Sequence, residues 1–435
     1  MPALSTPPFD SLARLRAQPW EALSGLAEVA GAAIARVLGG TAAERVLDRT
    51  LRDHRALGSE QRRALVEAVF NVGLWRRRLV FHLRGGEPSA AAHLFALLHA
   101  LAGVSAPEAA RLAGLPEPLP LRLEEPEALA LRHSLPDWLA EHLVRELGEE
   151  ADALCAHLNV PAPITLRTNT LRTTRDALAA RLEAEGLTVT PGRYSPLALH
   201  VQGPGGARPN LYGIAAGQEG LFEVQDEGSQ LLGLLMEARP GDSVLDLCAG
   251  AGGKTLQLGA AMGDTGRLLA YDPDAGRLDR LLQRAARAGL RRLELLRAPP
   301  GPELQVDRVL VDAPCSELGT LRRGPDLRFR LGEDALTRWL PVQAGLLRDA
   351  ARHVRPGGRL VYATCTLNGA ENAAQVASFL TEHPDFHLVR PTGVDSSLLQ
   401  GDFLATFPHR HGTDGFFAAV LERADARPLH DLPTR

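Results

Sequence analysis

Two of the chain's four cysteines come at the ends of hydrophobic runs that are typical of buried strands. Cys315 ends such a run in VDAPCSELGT, and Cys365 ends another in LVYATCT. A free cysteine is most often a small buried hydrophobe, which suits Cys155 on its predicted helix. Cys315 and Cys365 instead have polar neighbours, and a setting that favours the thiolate makes a cysteine nucleophilic. The sequence therefore predicts thiol chemistry at two strand ends.

A glycine-rich turn, VLDLCAGAGGKT (residues 244–255), joins a predicted strand to a predicted helix. A phosphate-binding loop would need glycine where Cys248 stands, and a dinucleotide fingerprint would need glycine where Thr255 stands. The spacing of Asp246, Gly250 and Gly252 is nearer to that of S-adenosylmethionine (SAM)-dependent methyltransferases. Asp272 ends the second strand, where an acid can accept hydrogen bonds from a ribose diol. We expect SAM contacts from Cys248, Ala249, Gly250, Ala251, Gly252, Gly253, Lys254, Asp272 and Asp312.

These residues need a scaffold that brings strand ends together, and residues 218–425 predict one. Strands such as SVLDLC, GRLLAYD, VDRVLVDAPC and RLVYATCT alternate with helices. That alternation predicts a mostly parallel, doubly wound α/β sheet with helices on both faces. Such sheets bind ligands beyond the carboxyl ends of their strands, where the cysteines and the glycine turn fall.

The rest of the chain predicts two further domains and a tail. Residues 1–150 carry apolar residues at helical spacing, which predicts an all-α domain. Residues 151–217 follow a strand, helix, strand pattern and form a small α/β unit. Residues 426–435 are a tail.

Two thiols, an aspartate and a methyl donor together favour one reaction. C5 of a pyrimidine is too weak a nucleophile to take a methyl group from SAM directly. A thiolate that adds at C6 turns C5 into an enamine carbon. Asp312 can stabilise the adduct through N3 of the base, and a second cysteine can assist release.

Three segments closely resemble the RNA cytosine-5 methyltransferases of the NOL1/NOP2/Sun family: DAPCSELGTLRRGPDLRFR, YATCTLNGAENAAQV and PHRHGTDGFFAAVL. The resemblance covers roughly residues 160–422. HSLPDWL and the helical N-terminal region are similar to the bacterial 16S rRNA (RsmB-like) branch. The resemblance implies a Rossmann-like SAM domain, a small α/β unit that helps hold RNA, and a NusB-like RNA-binding domain at the N-terminus.

The resemblance also implies the role of each catalytic residue. In the family the cysteine of the T-C motif attacks the base, which assigns that role to Cys365. The cysteine of the P-C motif aids product release, which assigns that role to Cys315. The family's base-binding aspartate is Asp312, and its supporting loop lysine is Lys254, the only lysine in the chain.

The chain departs from the family pattern at two places. Gly250-Ala251 replaces an Ala-Pro in the glycine loop, which leaves a more general methyltransferase loop. Ala298-Pro299 follows the third strand, where the family has an aspartate that contacts adenine. We expect backbone groups or Glu303 to replace that contact, with weaker or rearranged cofactor binding.

Candidate RNA contacts are mostly arginines, which suit phosphates and stacked bases. Chemistry on a base in this way requires an unpaired or flipped nucleotide. Ordinary solvated arginine is the alternative for each position. The candidates are Arg167, Asn169, Arg322, Arg323, Arg328, His409 and Arg410.

Composition limits the partners and the compartment. A formal net charge of −4 argues against a basic coat over the whole surface. The sequence has no apolar run long enough for a membrane span, no CxxC pair and no Cys/His cluster with zinc spacing. We therefore expect a cytoplasmic monomer that binds RNA, with no metal and no membrane partner.

Three other functions stay open from the sequence. The same chemistry could act on tRNA or 23S rRNA. The missing third-strand acid suggests an RNA-binding or ribosome assembly factor that has lost catalysis. A P-loop ATPase is disfavoured by Cys248.

Overall fold

The computed structural model describes residues 10–204, 209–324 and 327–425. Contacts divide the chain into two compact units: Met1–Pro161 with Leu321–Asp334, and Ala162–Thr320 with Ala335–Arg435. The structure thus differs from the predicted boundary at residue 150, and a segment following the P-C motif groups with the N-terminal unit. The predicted tail, residues 426–435, lies outside the described residues.

The described residues of the first unit form helices joined by loops, with no strand among them. Its longest helix is α4, in which Leu65, Val69 and Val72 are fully buried. These side chains recur at helical spacing, so α4 presents one apolar face to the core of this unit. Up to residue 161 the helices are α1 (Ala13–Arg16), α2 (Ala27–Leu38), α3 (Ala43–Asp53), α4 (Ser59–His82), α5 (Ala90–Ala96), α6 (Ala106–Ala113), α7 (Leu129–Arg132), α8 (Asp137–Leu147) and α9 (Ala151–His157).

The second unit begins with a small antiparallel sheet. Its elements are β1 (Thr165–Thr168), α10 (Arg175–Ala184), β2 (Thr188–Pro191), β3 (Ala198–Gln202), α11 (Ala215–Gln218) and β4 (Phe222–Val224), with strand order β2-β3-β1-β4. Leu166 of β1 pairs with Val224 of β4. The small sheet therefore extends past the predicted boundary at residue 217.

A nine-stranded sheet follows, with strand order β11-β12-β13-β9-β8-β5-β6-β7 and β10 paired to β13. Strands β5 to β9 are parallel, as the alternation predicted, and β10 to β13 run antiparallel. In chain order the elements are α12 (Glu227–Leu235), β5 (Ser243–Asp246), α13 (Gly253–Ala261), β6 (Arg267–Tyr271), α14 (Ala275–Ala288), β7 (Leu293–Leu296), β8 (Val306–Asp312), α15 (Leu327–Arg330), α16 (Ala335–Arg338), α17 (Leu340–His353), β9 (Val354–Thr364), α18 (Ala373–Glu382), β10 (Phe386–Val389), β11 (Leu399–Gln400), β12 (Phe403–Thr406), α19 (Pro408–His411) and β13 (Phe416–Arg423).

Hydrophobic runs place β5, β8 and β9 at the centre of this sheet. Val309, Leu310 and Val311 of β8 are fully buried, which is typical of parallel strands covered on both faces. Helix α14 covers one face through Leu278 and Leu281, which are also buried. Within the described ranges, no helix combines the length and apolar character that crossing a membrane requires.

Arg328 of α15 is fully buried in the first unit. Its guanidinium donates to Asn159 Oδ1 at 2.6 Å and to the Leu158 carbonyl at 2.9 Å. Burial lowers the pKa of Arg328 to about 10. The prediction that Arg328 contacts RNA is therefore wrong, because its guanidinium is enclosed in the fold and bound to Asn159 and Leu158.

Replacing Arg328 by alanine is expected to destabilise the first unit. The change leaves two buried acceptors without a donor, at a cost of about 1–3 kcal/mol each. Urea unfolding followed by circular dichroism measures the loss. Arg36→Ala, at an exposed position of α2, is the matched control and should unfold like the wild type. An Arg328→Ala variant that is as stable as the wild type but binds RNA more weakly would contradict the structural role and support an RNA contact by Arg328.

Candidate active site

The two cysteines of the predicted site lie in contact. Strands β8 and β9 are parallel neighbours, and their register pairs Asp312 with Ala363. Cys315 follows β8 and Cys365 follows β9, so both emerge at the same edge of the sheet. Their Sγ atoms are 3.4 Å apart, with Cys315 buried and Cys365 half-buried. This arrangement can supply one attacking thiol and one proton donor beside it.

The environment of Cys365 favours its neutral form. The hydrogen bond with Cys315 and burial raise the pKa of the Cys365 thiol well above its usual range, and the charges of Asp312 and Glu317 act in the same direction. At neutral pH Cys365 is therefore a thiol, and it must lose a proton before it attacks.

A close approach of two glycines holds the backbone of the Cys365 loop. The Gly319 amide donates to the Cys365 carbonyl at 3.0 Å, and the Gly415 amide donates to the Gly319 carbonyl at 2.9 Å. A Cβ on Gly319 would lie 2.0 Å from the Gly415 carbonyl oxygen. Any larger residue at position 319 would push these backbones apart.

Lys254 and Asp312 form an ion pair at the same edge of the sheet. Lys254 is the second residue of α13, and its Nζ lies 2.6 Å from Asp312 Oδ2. Lys254 is buried, while Asp312 is half-exposed at the end of β8. The pair leaves Asp312 Oδ1 available to a base, with the carboxylate oriented by the lysine.

Asp246 supports the glycine loop from below. Thr255 donates a 2.6 Å hydrogen bond to Asp246 Oδ2, whereas Oδ1 is buried without a partner among the described residues. Burial raises the pKa of Asp246 to about 7. A carboxyl group with an unused oxygen lies under the turn where the predicted cofactor would bind.

Asp272 binds the glycine loop through its own carboxylate. Gly250 donates to Asp272 Oδ2 at 2.9 Å, and the Asp274 amide donates to Oδ1 at 2.9 Å. Gly252 has a φ of +88°, and a Cβ there would lie 2.1 Å from Leu281. At Gly250 and Gly253 a Cβ would meet nothing within 4 Å, so one side of the loop is open. The turn from Cys248 to Lys254 therefore fits a cofactor laid against its backbone.

Two arginines hold the same loop from the other side. Arg167 of β1 donates to the Gly253 carbonyl and to Gln225, and it is almost fully buried. Arg284 of α14 donates to the Ala251 carbonyl at 2.6 Å and to Glu223 of β4 at 2.8 Å. The prediction that Arg167 contacts RNA is wrong, because its guanidinium is enclosed and binds the loop.

Asn169 is also structural rather than an RNA contact. Its amide is buried and donates to the carbonyls of Gly220 and Ala288, each at 2.8 Å.

The other RNA candidates differ in exposure. Arg322 is buried in the first unit, whereas Arg323 of the same unit is exposed. His409 and Arg410 lie on α19, half-buried and exposed respectively. Arg323, His409 and Arg410 remain the accessible candidates for RNA.

The end of the third strand offers no acid in place of the family's aspartate. Strand β7 ends at Leu296, and the next residue, Arg297, forms a 2.8 Å ion pair with Asp279. Ala298 and Glu303 are exposed. The expectation that Glu303 or backbone groups bind adenine stays a prediction.

Sequence reasoning missed two buried acids that support this region, Glu223 and Glu371. Glu223 accepts from Arg284 and from Arg287, and Glu371 lies behind the two cysteines. Neither stands in a pattern that predicts burial, since all but one of the donors named here, Asn368, come from distant parts of the sequence. Among the described residues no group of His, Cys, Asp and Glu could hold a metal ion.

Two known family models match the chain. A model described as 16S rRNA methyltransferase RsmB/F matches residues 233–422, and one described as the RsmF/B-like ferredoxin-like domain matches residues 135–207. A Synechocystis sp. protein named "Probable ribosomal RNA small subunit methyltransferase B" is 39% identical over 313 residues, or 69% of each chain. A Bacillus subtilis protein of the same name is 32% identical over 324 residues, again 69% of each chain.

The chain belongs to the RsmB/F family. It is a SAM-dependent RNA methyltransferase, and the loop from Cys248 to Lys254 is the part of the chain that fits the cofactor.

Solved structures agree with the fold. The crystal structure of PH0851 superposes with a TM-score of 0.74 at 27% identity, covering 93% of this chain and 99% of that one. NSun6 from Pyrococcus horikoshii, solved with SFG, superposes with a TM-score of 0.61 at 22% identity, covering 67% and 99% of the two chains.

Replacing Cys315 by alanine should make Cys365 more reactive towards iodoacetamide. The change removes the hydrogen bond that contributes most to the raised pKa of Cys365, so more thiolate is present at pH 7. The alkylation rate should rise with pH in both proteins, with the variant's curve displaced to lower pH. Peptide mass spectrometry separates Cys365 from the other cysteines.

Cys155→Ala is the control for this experiment, because Cys155 is buried in the first unit. It should leave the alkylation profile of Cys365 unchanged. Slower alkylation of Cys365 in the Cys315→Ala variant would contradict the assigned hydrogen bond.

Proposed function

We propose that this enzyme methylates C5 of a cytidine in 16S rRNA through a covalent bond between Cys365 and C6. The observation that carries the proposal is the 3.4 Å contact between the Cys315 and Cys365 sulfurs beside the Asp312–Lys254 ion pair. The family description and the names of the relatives favour small-subunit rRNA as the substrate. Such a substrate places the enzyme in the cytoplasm.

The first half of the reaction activates the base. Cys365 loses its proton and its sulfur bonds to C6, so the C5–C6 double bond is lost and C5 becomes nucleophilic. N3 of the base takes up a proton as the sulfur adds, which balances the proton that Cys365 loses. Asp312, oriented by Lys254, accepts a hydrogen bond from the protonated N3 and so stabilises the adduct. When bound, SAM supplies the methyl group that C5 takes.

The second half releases the product. The proton on C5 leaves, the C5–C6 double bond forms again, and the bond from C6 to the Cys365 sulfur breaks. N3 also gives up the proton that it took in the first half, which restores the neutral base. Cys315 lies 3.4 Å from that sulfur and can give it a proton as it leaves. The raised pKa of Cys365 favours this step, because the departing sulfur readily takes the proton.

Incubation with labelled SAM tests the substrate. Unmodified 16S rRNA should acquire label at C5 of cytosine, while 23S rRNA and tRNA should not. Label on either of the other RNAs instead would reject the 16S assignment.

Calorimetry with SAM should give a measurable affinity, and no binding at all would favour an assembly factor without catalysis.

Single replacements test the two cysteine roles. Cys365→Ala should abolish turnover, because no sulfur can add to C6. Cys315→Ala should keep the first step and slow the release, so a protein–RNA adduct accumulates on denaturing gels. Adduct accumulation in Cys365→Ala, with lost attack in Cys315→Ala, would exchange the two roles.

A further inference from the structure

A fully buried carboxylate lies behind the two cysteines. Glu371 ends the short helical turn Gly369–Glu371 between β9 and α18. Its Oε2 accepts from the Ser316 amide at 3.0 Å and from Gln343 Nε2 at 2.8 Å. Its Oε1 accepts from the Ser316 hydroxyl and from Asn368 Nδ2 at 2.9 Å. Four neutral donors therefore converge on one acid.

The number of donors fixes the charge of Glu371. A carboxylate offers about four lone-pair sites, whereas a protonated acid uses one oxygen as a donor. Only the ionised form accepts all four hydrogen bonds. These hydrogen bonds offset the cost of burying the charge.

The charge of Glu371 also fixes the direction of the hydrogen bonds in front of it. The Ser316 hydroxyl has one hydrogen, which it donates to Glu371. Its 2.7 Å contact with the Thr366 hydroxyl is therefore donated by Thr366. The hydroxyls form an ordered chain from Thr366 through Ser316 to Glu371.

This chain joins the two residues that directly follow the reactive cysteines. Ser316 follows Cys315, and Thr366 follows Cys365. On the other side of Cys315, Gln343 donates to the Pro314 carbonyl at 2.9 Å as well as to Glu371. The acid thus fixes the backbone on both sides of Cys315 and links it to the backbone that carries Cys365.

We infer that Glu371 is a positioning residue that sets the spacing of the two thiols for attack and release. The inference rests on the covalent reaction proposed above. Glu371 does not act on the substrate itself, since four protein donors already occupy its oxygens. It acts through Ser316 and Thr366, which hold the two sulfurs 3.4 Å apart.

Glu371→Gln tests the inference with little change of shape. In either orientation the glutamine amide nitrogen faces two donors, so two of the four hydrogen bonds that hold Ser316, Gln343 and Asn368 are lost. The substrate is 16S rRNA transcribed with 5-fluorocytidine, whose fluorine cannot leave C5 as a proton does, so the adduct accumulates. At saturating RNA and SAM, adduct formation should slow by about 100-fold, the effect of misplacing reacting groups by roughly 1 Å. The Kd for SAM, measured by calorimetry, should stay at the wild-type value.

Glu227→Gln is the matched control. Glu227 is a buried acid of the same unit, and its carboxylate accepts from the backbone amides of Tyr194 and Ser195. Its replacement should leave both the Kd for SAM and the rate of adduct formation close to the wild-type values. Adduct formation that slows equally in Glu227→Gln and Glu371→Gln would overturn the positioning role.

A pair of replacements at Thr366 tests the hydroxyl chain without changing a charge. Thr366→Val keeps the shape and loses the hydroxyl, so adduct formation should slow. Thr366→Ser keeps the hydroxyl and should restore most of the rate. Equal rates in the two variants would reject the ordered chain, even where Glu371→Gln fails to fold.

The wild-type reaction separates this inference from the proposed function. Absence of any adduct in the wild type would reject the covalent mechanism and the positioning role with it. A wild-type adduct that forms equally fast in Glu371→Gln would reject the positioning role alone.

Discussion

The parallel pairing of β8 with β9 is the interaction on which the site depends. Its register pairs Asp312 with Ala363, so the residues that follow the two strands lie at the same edge of the sheet. Asp312, Cys315 and Cys365 reach one edge because β8 and β9 pair in one register from Arg308 to Asp312. The pairing of β5 with β8 brings the glycine loop and Lys254 to the same edge. Two strand registers therefore bring together four residues from three segments of the chain: Lys254, Asp312, Cys315 and Cys365.

The small antiparallel sheet contributes to this edge in a way that its composition does not suggest. Arg167 of β1 donates to a carbonyl of the glycine loop. Glu223 of β4 binds Arg284, which donates to another carbonyl of that loop. A loop rich in glycine has high conformational entropy, so fixing its carbonyls preorganises it for a ligand. The small antiparallel sheet therefore also shapes the glycine loop.

Local patterns were enough to predict the parallel sheet, the glycine loop and the strand-end positions of both cysteines. Each of these three features depends on residues close together in sequence, which is what hydrophobic runs and glycine spacing show. Burial of a charged side chain depends on distant partners, which explains the errors at Arg167 and Arg328. The grouping of Leu321–Asp334 with the N-terminal helices is equally non-local. Glu371 was missed for the same reason, since its donors span residues 316–368.

The ion pair of Lys254 with Asp312 has a consequence for labelling the protein. Lys254 carries the only side-chain amine in the sequence; its side chain is 10% exposed, and the amine is bound to the Asp312 carboxylate. Reagents specific for amines therefore have one side-chain target in this protein, at the edge of the sheet that carries the two cysteines. A single mass increment on the peptide containing Lys254 would report whether that edge is open or covered. Because the other basic side chains counted with it are arginines, labelling of Lys254 alone reports whether this edge of the sheet is covered.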